Sequence, residues 1–246
     1  MHGTGSDAIT LRPMDDLSLG AGTTWRLIRT LDPALVGIAW LSLQVSGLAV
    51  IVASLLALPF GGWLSLTRFP GRQSVIAMLN GLMGLPPVVV GLLVYLLLSR
   101  SGPLGPLGIL FTPSAMVVAQ TLLIFPIIAA LARQVIEDAW SEYREQLLSL
   151  DATRWQCIRA LLWDMRFTLS TAVLAGFGRA IAEVGAVMIV GGNIDGLTRV
   201  MTTAIALETS KGDLPLALAL GAVLIGMVVV INAAAQGLKM HAMRNG

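Results

Sequence analysis

The run PALVGIAWLSLQVSGLAVIVASLLALPFGGWLSLT, residues 33–67, contains no charged side chain and is bounded by Asp32 and Arg68. A helix needs about 20 apolar residues to cross the hydrocarbon of a bilayer, so this run holds a whole span with length to spare. Three further charge-free runs follow: residues 73–99 between Arg72 and Arg100, residues 101–132 ending at Arg133, and residues 214–238 ending at Lys239. The third opens with the Gly/Pro-rich connector SGPLGPLGILFTPS, which places the start of its helix near Phe111. A fifth run, residues 167–190, is apolar except for Arg179 and Glu183. The expected fold is all-α: a polytopic membrane protein of about five transmembrane helices.

Composition agrees. The chain has 246 residues, 56% hydrophobic and 12% charged, against roughly 25% charged in an average soluble domain. A mean hydropathy of +0.81 fits a surface that faces lipid tails. The net charge of +2 and the lack of any long Lys/Arg run argue against nucleic acid as a partner. Cys157 stands alone and the two histidines, His2 and His241, lie near opposite termini, so no disulfide framework and no Cys/His metal site is expected. The first 30 residues carry Asp7, Asp15 and Asp16 and no early apolar run, unlike a cleavable signal peptide.

Basic residues in short loops set the orientation. Arg68, Arg72, Arg133, Arg144, Arg154, Arg159, Arg166, Lys239 and Arg244 fall on one side, and Arg100, Arg199 and Lys211 on the other. The richer side is expected to be cytoplasmic, with the C-terminus inside and the N-terminus outside. The chain divides into an N-terminal tail, residues 1–32, and a transmembrane domain, residues 33–246. Residues 24–32, with Trp25, read either as an interfacial helix or as a simple tail.

Several features interrupt the apolar runs. In NGLMGLPPVVVG, residues 80–91, Pro86 and Pro87 remove two backbone donors, so this helix must break or kink. Free carbonyls at that depth need protein or a watery cavity opposite them, whether for a pathway or for packing alone. Arg179 and Glu183 sit four residues apart inside an apolar span, where a charge costs about 2.5–3.5 kcal/mol unless it faces the bundle or water. They read either as part of a transport path or as a pair that holds the bundle. Gly178, Ala182 and Ala186 share the same spacing and would form a small-residue ridge. Gly191-Gly192-Asn193 breaks the next segment, after which Thr198, Thr202 and Thr203 offer hydroxyls to an oxyanion or to their own backbone.

The stretch 133–166 is too long for a turn between spans. Trp140, Tyr143, Leu147, Leu148, Leu150, Trp155, Ile158, Leu161 and Leu162 would form apolar stripes on two short helices. Thr153 and Gln156 have capping-box spacing and would start the second helix after a break at Asp151-Ala152. Such a helix–turn–helix suits docking. Within it EQLLSLDATRW, residues 145–155, resembles the EAA loop of ABC importer permeases, which docks in a cleft of the ATPase subunit. Glu145, Leu150 and Ala152 match that pattern. Asp151 stands where the family usually has Gly, and the proline expected near the motif's end is absent. Leu147 and Trp155 complete the expected coupling set.

A longer, collinear resemblance covers residues 36–238. GLPPVVVGLLVYLLLSRSGPLGPLG (84–108), FGRAIAEVGAVMIVGGN (177–193) and TRVMTTAIALETSKGD (198–213) are similar to the permeases of tungstate importers, relatives of molybdate and sulfate permeases. The resemblance implies a type I ABC importer permease fold in the plasma (inner) membrane of a prokaryote. It further implies a second copy of the chain, two cytoplasmic ATPase subunits and an extracytoplasmic oxyanion-binding protein. Pro86, Pro87, Arg179, Glu183, Asn193, Thr198, Thr202 and Thr203 are then expected along the translocation path and gate. The chain has no G-x-x-x-x-G-K-[ST] phosphate loop, so ATP is expected on the partner subunit and no cofactor on this chain. Two other classes compete. A channel or secondary transporter would need no ATP, but the short chain and the docking segment stand against it. An intramembrane enzyme would need a catalytic pair in the spans, where only Arg179 and Glu183 are charged.

Overall fold

The computed structural model describes residues 33–244, and the expected N-terminal tail with its interfacial helix lies outside them. Helices and their connections make up all of this region, with no strand among the described residues. In order they are α1 (Pro33–Leu66), α2 (Arg72–Leu82), α3 (Pro87–Leu98), a 3₁₀ turn (Gly105–Leu107), α4 (Pro113–Ser149), α5 (Arg154–Asp164), α6 (Arg166–Ile181), α7 (Gly185–Gly191), α8 (Met201–Lys211) and α9 (Leu214–Arg244).

α1, α4 and α9 are each long and apolar enough to cross a membrane as one helix. The two remaining expected spans are bent: α2 and α3 meet at 102°, α6 and α7 at 59°. Counting each bent pair as one span restores the expected five. Pro87 explains the first bend, because a proline suits the first position of a helix, where its missing N–H is not needed. The second bend corrects the reading of residues 167–190 as one helix: α6 stops at Ile181 and α7 starts at Gly185. It also dissolves the expected ridge. Ala182 lies exposed in the break and no other element among the described residues approaches Gly178, while Ala186 is buried against α3.

α1 and α4 form the spine. Gly61 lets them touch at backbone distance, since a Cβ there would lie 2.7 Å from the Ala129 carbonyl oxygen. At the end of the bundle that carries α5, Arg72 donates to the Leu64 carbonyl at 3.0 Å, closing the C-terminus of α1, and pairs with Glu137 at 3.0 Å. Arg133 pairs with the same carboxylate. α9 leans on α8 and α6 and turns Ile225, Val229 and Val230 outward, a surface suited to lipid.

The stretch 133–166 differs from expectation in one respect. Its first part is not a separate short helix but the continuation of α4, whose 37 residues reach about 55 Å at 1.5 Å each, well beyond a hydrocarbon layer of roughly 30 Å. The break falls after Leu150, as the sequence indicates, and is built as a Schellman turn. The Ala152 N–H donates to the Leu147 carbonyl and the Asp151 N–H to the Leu148 carbonyl. Asp151 sits at φ 48°, a left-handed conformation that glycine adopts freely and aspartate tolerates. Aspartate here thus holds a backbone that glycine would also adopt. Thr153 then caps α5 through the full capping box with Gln156.

Candidate translocation site

Both helix breaks lie side by side. Val88, next after Pro87, faces Gly185: a Cβ on Gly185 would meet the Val88 side chain at 2.8 Å. One turn further on, Gly91 admits Ala186, and a Cβ on Gly91 would sit 2.7 Å from the Ala186 Cα. Glycines at 91 and 185 therefore bring the proline break of α2–α3 against the break of α6–α7.

Glu183 stands in that second break. Its side chain is only 3% exposed and receives the Arg179 guanidinium at 2.6 Å; Arg179 itself is 34% exposed. The other carboxylate oxygen, Oε1, accepts the Ala186 N–H at 3.0 Å, so Glu183 also caps α7. The Thr202 hydroxyl donates to the Glu183 backbone carbonyl at 2.8 Å, which ties α8 to the break. Gln120 of α4 donates to the Ala180 carbonyl at 3.0 Å, and its own Oε1 has no partner among the described residues. Ser42, Ser46, Gln120, Glu183 and Thr202 line a cleft of about 10 Å³ in the middle of the bundle.

Charge and position give this site its chemistry. A buried carboxylate holds one arginine, and a charge-assisted bond of this kind fixes the guanidinium while leaving some of its donors outward. Removing either partner would strand the other, a loss of about 3–5 kcal/mol for a fully buried pair and less here because Arg179 is partly open.

The remaining sequence candidates take different places. Pro86 is exposed and Pro87 opens α3. Thr198 is fully buried in the α7–α8 connection, where its hydroxyl donates to the Gly191 carbonyl at 2.6 Å and accepts the Ile194 N–H at 2.9 Å. Thr203 closes the start of α8, accepting the Val200 N–H at 3.0 Å. Both hydroxyls serve their own backbone, the second of the two uses open to them. Asn193 turns the chain at φ 51°, after Gly192 at φ 73°. Arg179, Glu183 and Thr202 thus form one cluster beside the proline break, and Asn193, Thr198 and Thr203 shape the connection that returns the chain to it.

At the α5 end the coupling candidates separate by exposure. Leu150 is 72% and Trp155 63% exposed, with Glu145 and Asp151 also outward. Leu147 turns inward with Trp140, Tyr143 and Leu162 onto the core of Ala132, Ile136, Ala139, Leu161 and Leu169, and Ala152 is half-buried. Sequence reading missed Gln120, Ser42, Ser46 and Glu137. Gln120 is legible in hindsight as a polar side chain in the charge-free run 101–132, and Glu137 as the residue four after Arg133.

A bundle of straight and bent helices long and apolar enough to cross a membrane, with a charged pair at one break and an exposed helix–turn–helix at one end, suits a multi-pass membrane protein. No family model matches the sequence. Individual relatives do. The chain is 40% identical over 220 residues, 89% of its length and 96% of the relative's, to the tungstate uptake system permease protein TupB of Peptoclostridium acidaminophilum. It is 40% identical over 204 residues, covering 81% and 88%, to a probable anion ABC transporter permease protein of Haloferax volcanii. The sulfate transport system permease protein CysT of Escherichia coli is 30% identical over 199 residues, covering 76% and 72%. The chain belongs to the family of ABC-transporter permeases for oxyanions.

Proposed function

We propose that this chain is the membrane permease of an ATP-driven tungstate importer, working as a pair of copies with two separate ATPase subunits and an extracytoplasmic binding protein. One observation carries the role of the site: a partly open arginine held by a buried glutamate where a span breaks, in a run, residues 167–190, that carries no other charge. A dianion crossing the bilayer meets a large desolvation cost, which a fixed positive charge lowers. Glu183 moderates that charge so that the ion is passed on rather than held. Tungstate is favoured over sulfate by the higher identity of the tungstate permease. The α5 end is cytoplasmic in this reading, which supplies the basic side of the loops, and Leu150 and Trp155 dock into the ATPase.

Reconstitution in vesicles tests it. Inward tungstate accumulation should need this chain, the ATPase, the loaded binding protein and ATP, and omitting any of them should abolish it. Accumulation by the permease alone would refute the reading. Titrating the partner binding protein with tungstate, molybdate and sulfate fixes the anion, because an enclosed site discriminates where a passage does not.

A further inference from the structure

Beside the coupling turn lies a pocket of about 260 Å³, lined by Arg68, Trp140, Arg144, Ala152, Arg154 and Cys157 among others. Its three arginines come from three elements: the α1–α2 connection, the end of α4 and the first residue of α5. Each of Arg72, Arg133, Arg179 and Arg199 pairs with a carboxylate. Arg68, Arg144 and Arg154, all exposed, have no hydrogen-bond or ion-pair partner among the described residues; Arg100 and Arg159 have none either, but do not line the pocket. Asp138, Glu142, Glu145 and Asp151 lie on the same elements but do not line the pocket. Orientation alone asks only that basic residues be on this side; it does not ask that three converge on one concavity.

We infer that this pocket is a second anion site, distinct from the path at Arg179, for a tetrahedral dianionic oxyanion or the phosphate of a lipid headgroup. The chemistry is set by the guanidinium forks, whose paired N–H donors match the oxygens of such groups. The N-terminus of α5 adds the positive end of its dipole. Arg144 and Arg154 stand on opposite sides of the turn at residues 150–153, so an anion between them braces the coupling segment against α4. In the proposed orientation the pocket opens to the cytoplasm, and imported oxyanion would reach it.

The test uses the full chain in nanodiscs. Inorganic tungstate and sulfate are titrated by calorimetry in neutral phosphatidylcholine discs, and hydrogen exchange of residues 147–154 is read with and without the anion. Saturable binding with slower exchange there is expected. Arg144→Gln should weaken it at least tenfold and the triple variant Arg68→Gln, Arg144→Gln, Arg154→Gln should abolish it. Arg100→Gln, on the opposite side of the bundle, should leave it unchanged. In the lipid arm, discs containing phosphatidic acid are examined by native mass spectrometry; lipid retained by the wild type and lost by the triple variant assigns the site to a headgroup. Binding that survives the triple variant, or neither anion nor lipid bound, overturns the inference, and loss of ATPase capture alone would assign the arginines to protein docking instead.

Discussion

Gly91→Ala tests how the two helix breaks are held together. A Cβ at 91 would lie 2.7 Å from the Ala186 Cα and 3.2 Å from its carbonyl oxygen, where carbon contacts ordinarily sit at about 3.5–4.0 Å. The obstacle is backbone, which has no rotamer with which to yield, so α3 and α7 must part by about 1 Å. Overpacking of this size costs roughly 1–3 kcal/mol. Consequences go beyond stability, because the Ala186 N–H is the group that holds Glu183 at 3.0 Å. Displacing α7 therefore loosens the carboxylate that positions Arg179. The single thiol, Cys157, is 1% exposed and becomes reactive on unfolding, which gives a thermal assay in detergent. A loss of about 2 kcal/mol should lower the midpoint by about 4–8 °C, and transport should fall with it. Gly178→Ala is the control, since a Cβ there would meet no neighbouring element within 4 Å among the described residues and alanine favours the helix. Gly91→Ala with the midpoint and transport of the wild type would refute the close packing of the two breaks.

Three further outcomes follow from named contacts. Thr198→Val leaves the Gly191 carbonyl and the Ile194 N–H without their buried partner and should cost about 1–3 kcal/mol, read in the same thermal assay. Asp151→Gly keeps the left-handed turn at φ 48° while removing its Cβ, and should raise the midpoint by the equivalent of about 1 kcal/mol at most; a fall would contradict the Schellman reading. Leu150→Ala and Trp155→Ala, both widely exposed, should fold normally yet lower capture of the ATPase subunit by more than about 1 kcal/mol each, and equal capture by both variants and the wild type would remove the docking role.

Local rules carried much of this structure. The Thr153–Gln156 cap and the break before it depend on neighbours in sequence, so residue spacing was enough to place them. Arg179 and Glu183 pair as their spacing suggests even though the helix ends between them, because four residues also bridge a break of 59°. That break itself was not legible: no proline marks residues 182–184, and it rests on tertiary bonds from Gln120 and Thr202 that no local pattern announces. Spacing alone puts Leu147 on the docking face for a similar reason. Its direction depends on α4 running on without interruption to Ser149, which turns it onto Leu161 and Leu169 instead of outward.

The central claim is that the oxyanion passes Arg179, and the double variant Arg179→Gln, Glu183→Gln tests it most directly. It removes both charges together, so no buried charge is stranded, and glutamine at 183 retains an oxygen for the Ala186 N–H. The variant should fold, assemble with the ATPase and hydrolyse ATP at the basal rate, while tungstate uptake in reconstituted vesicles falls at least tenfold. Uptake at the wild-type rate would mean that the pair only holds the bundle together, and that the path runs elsewhere.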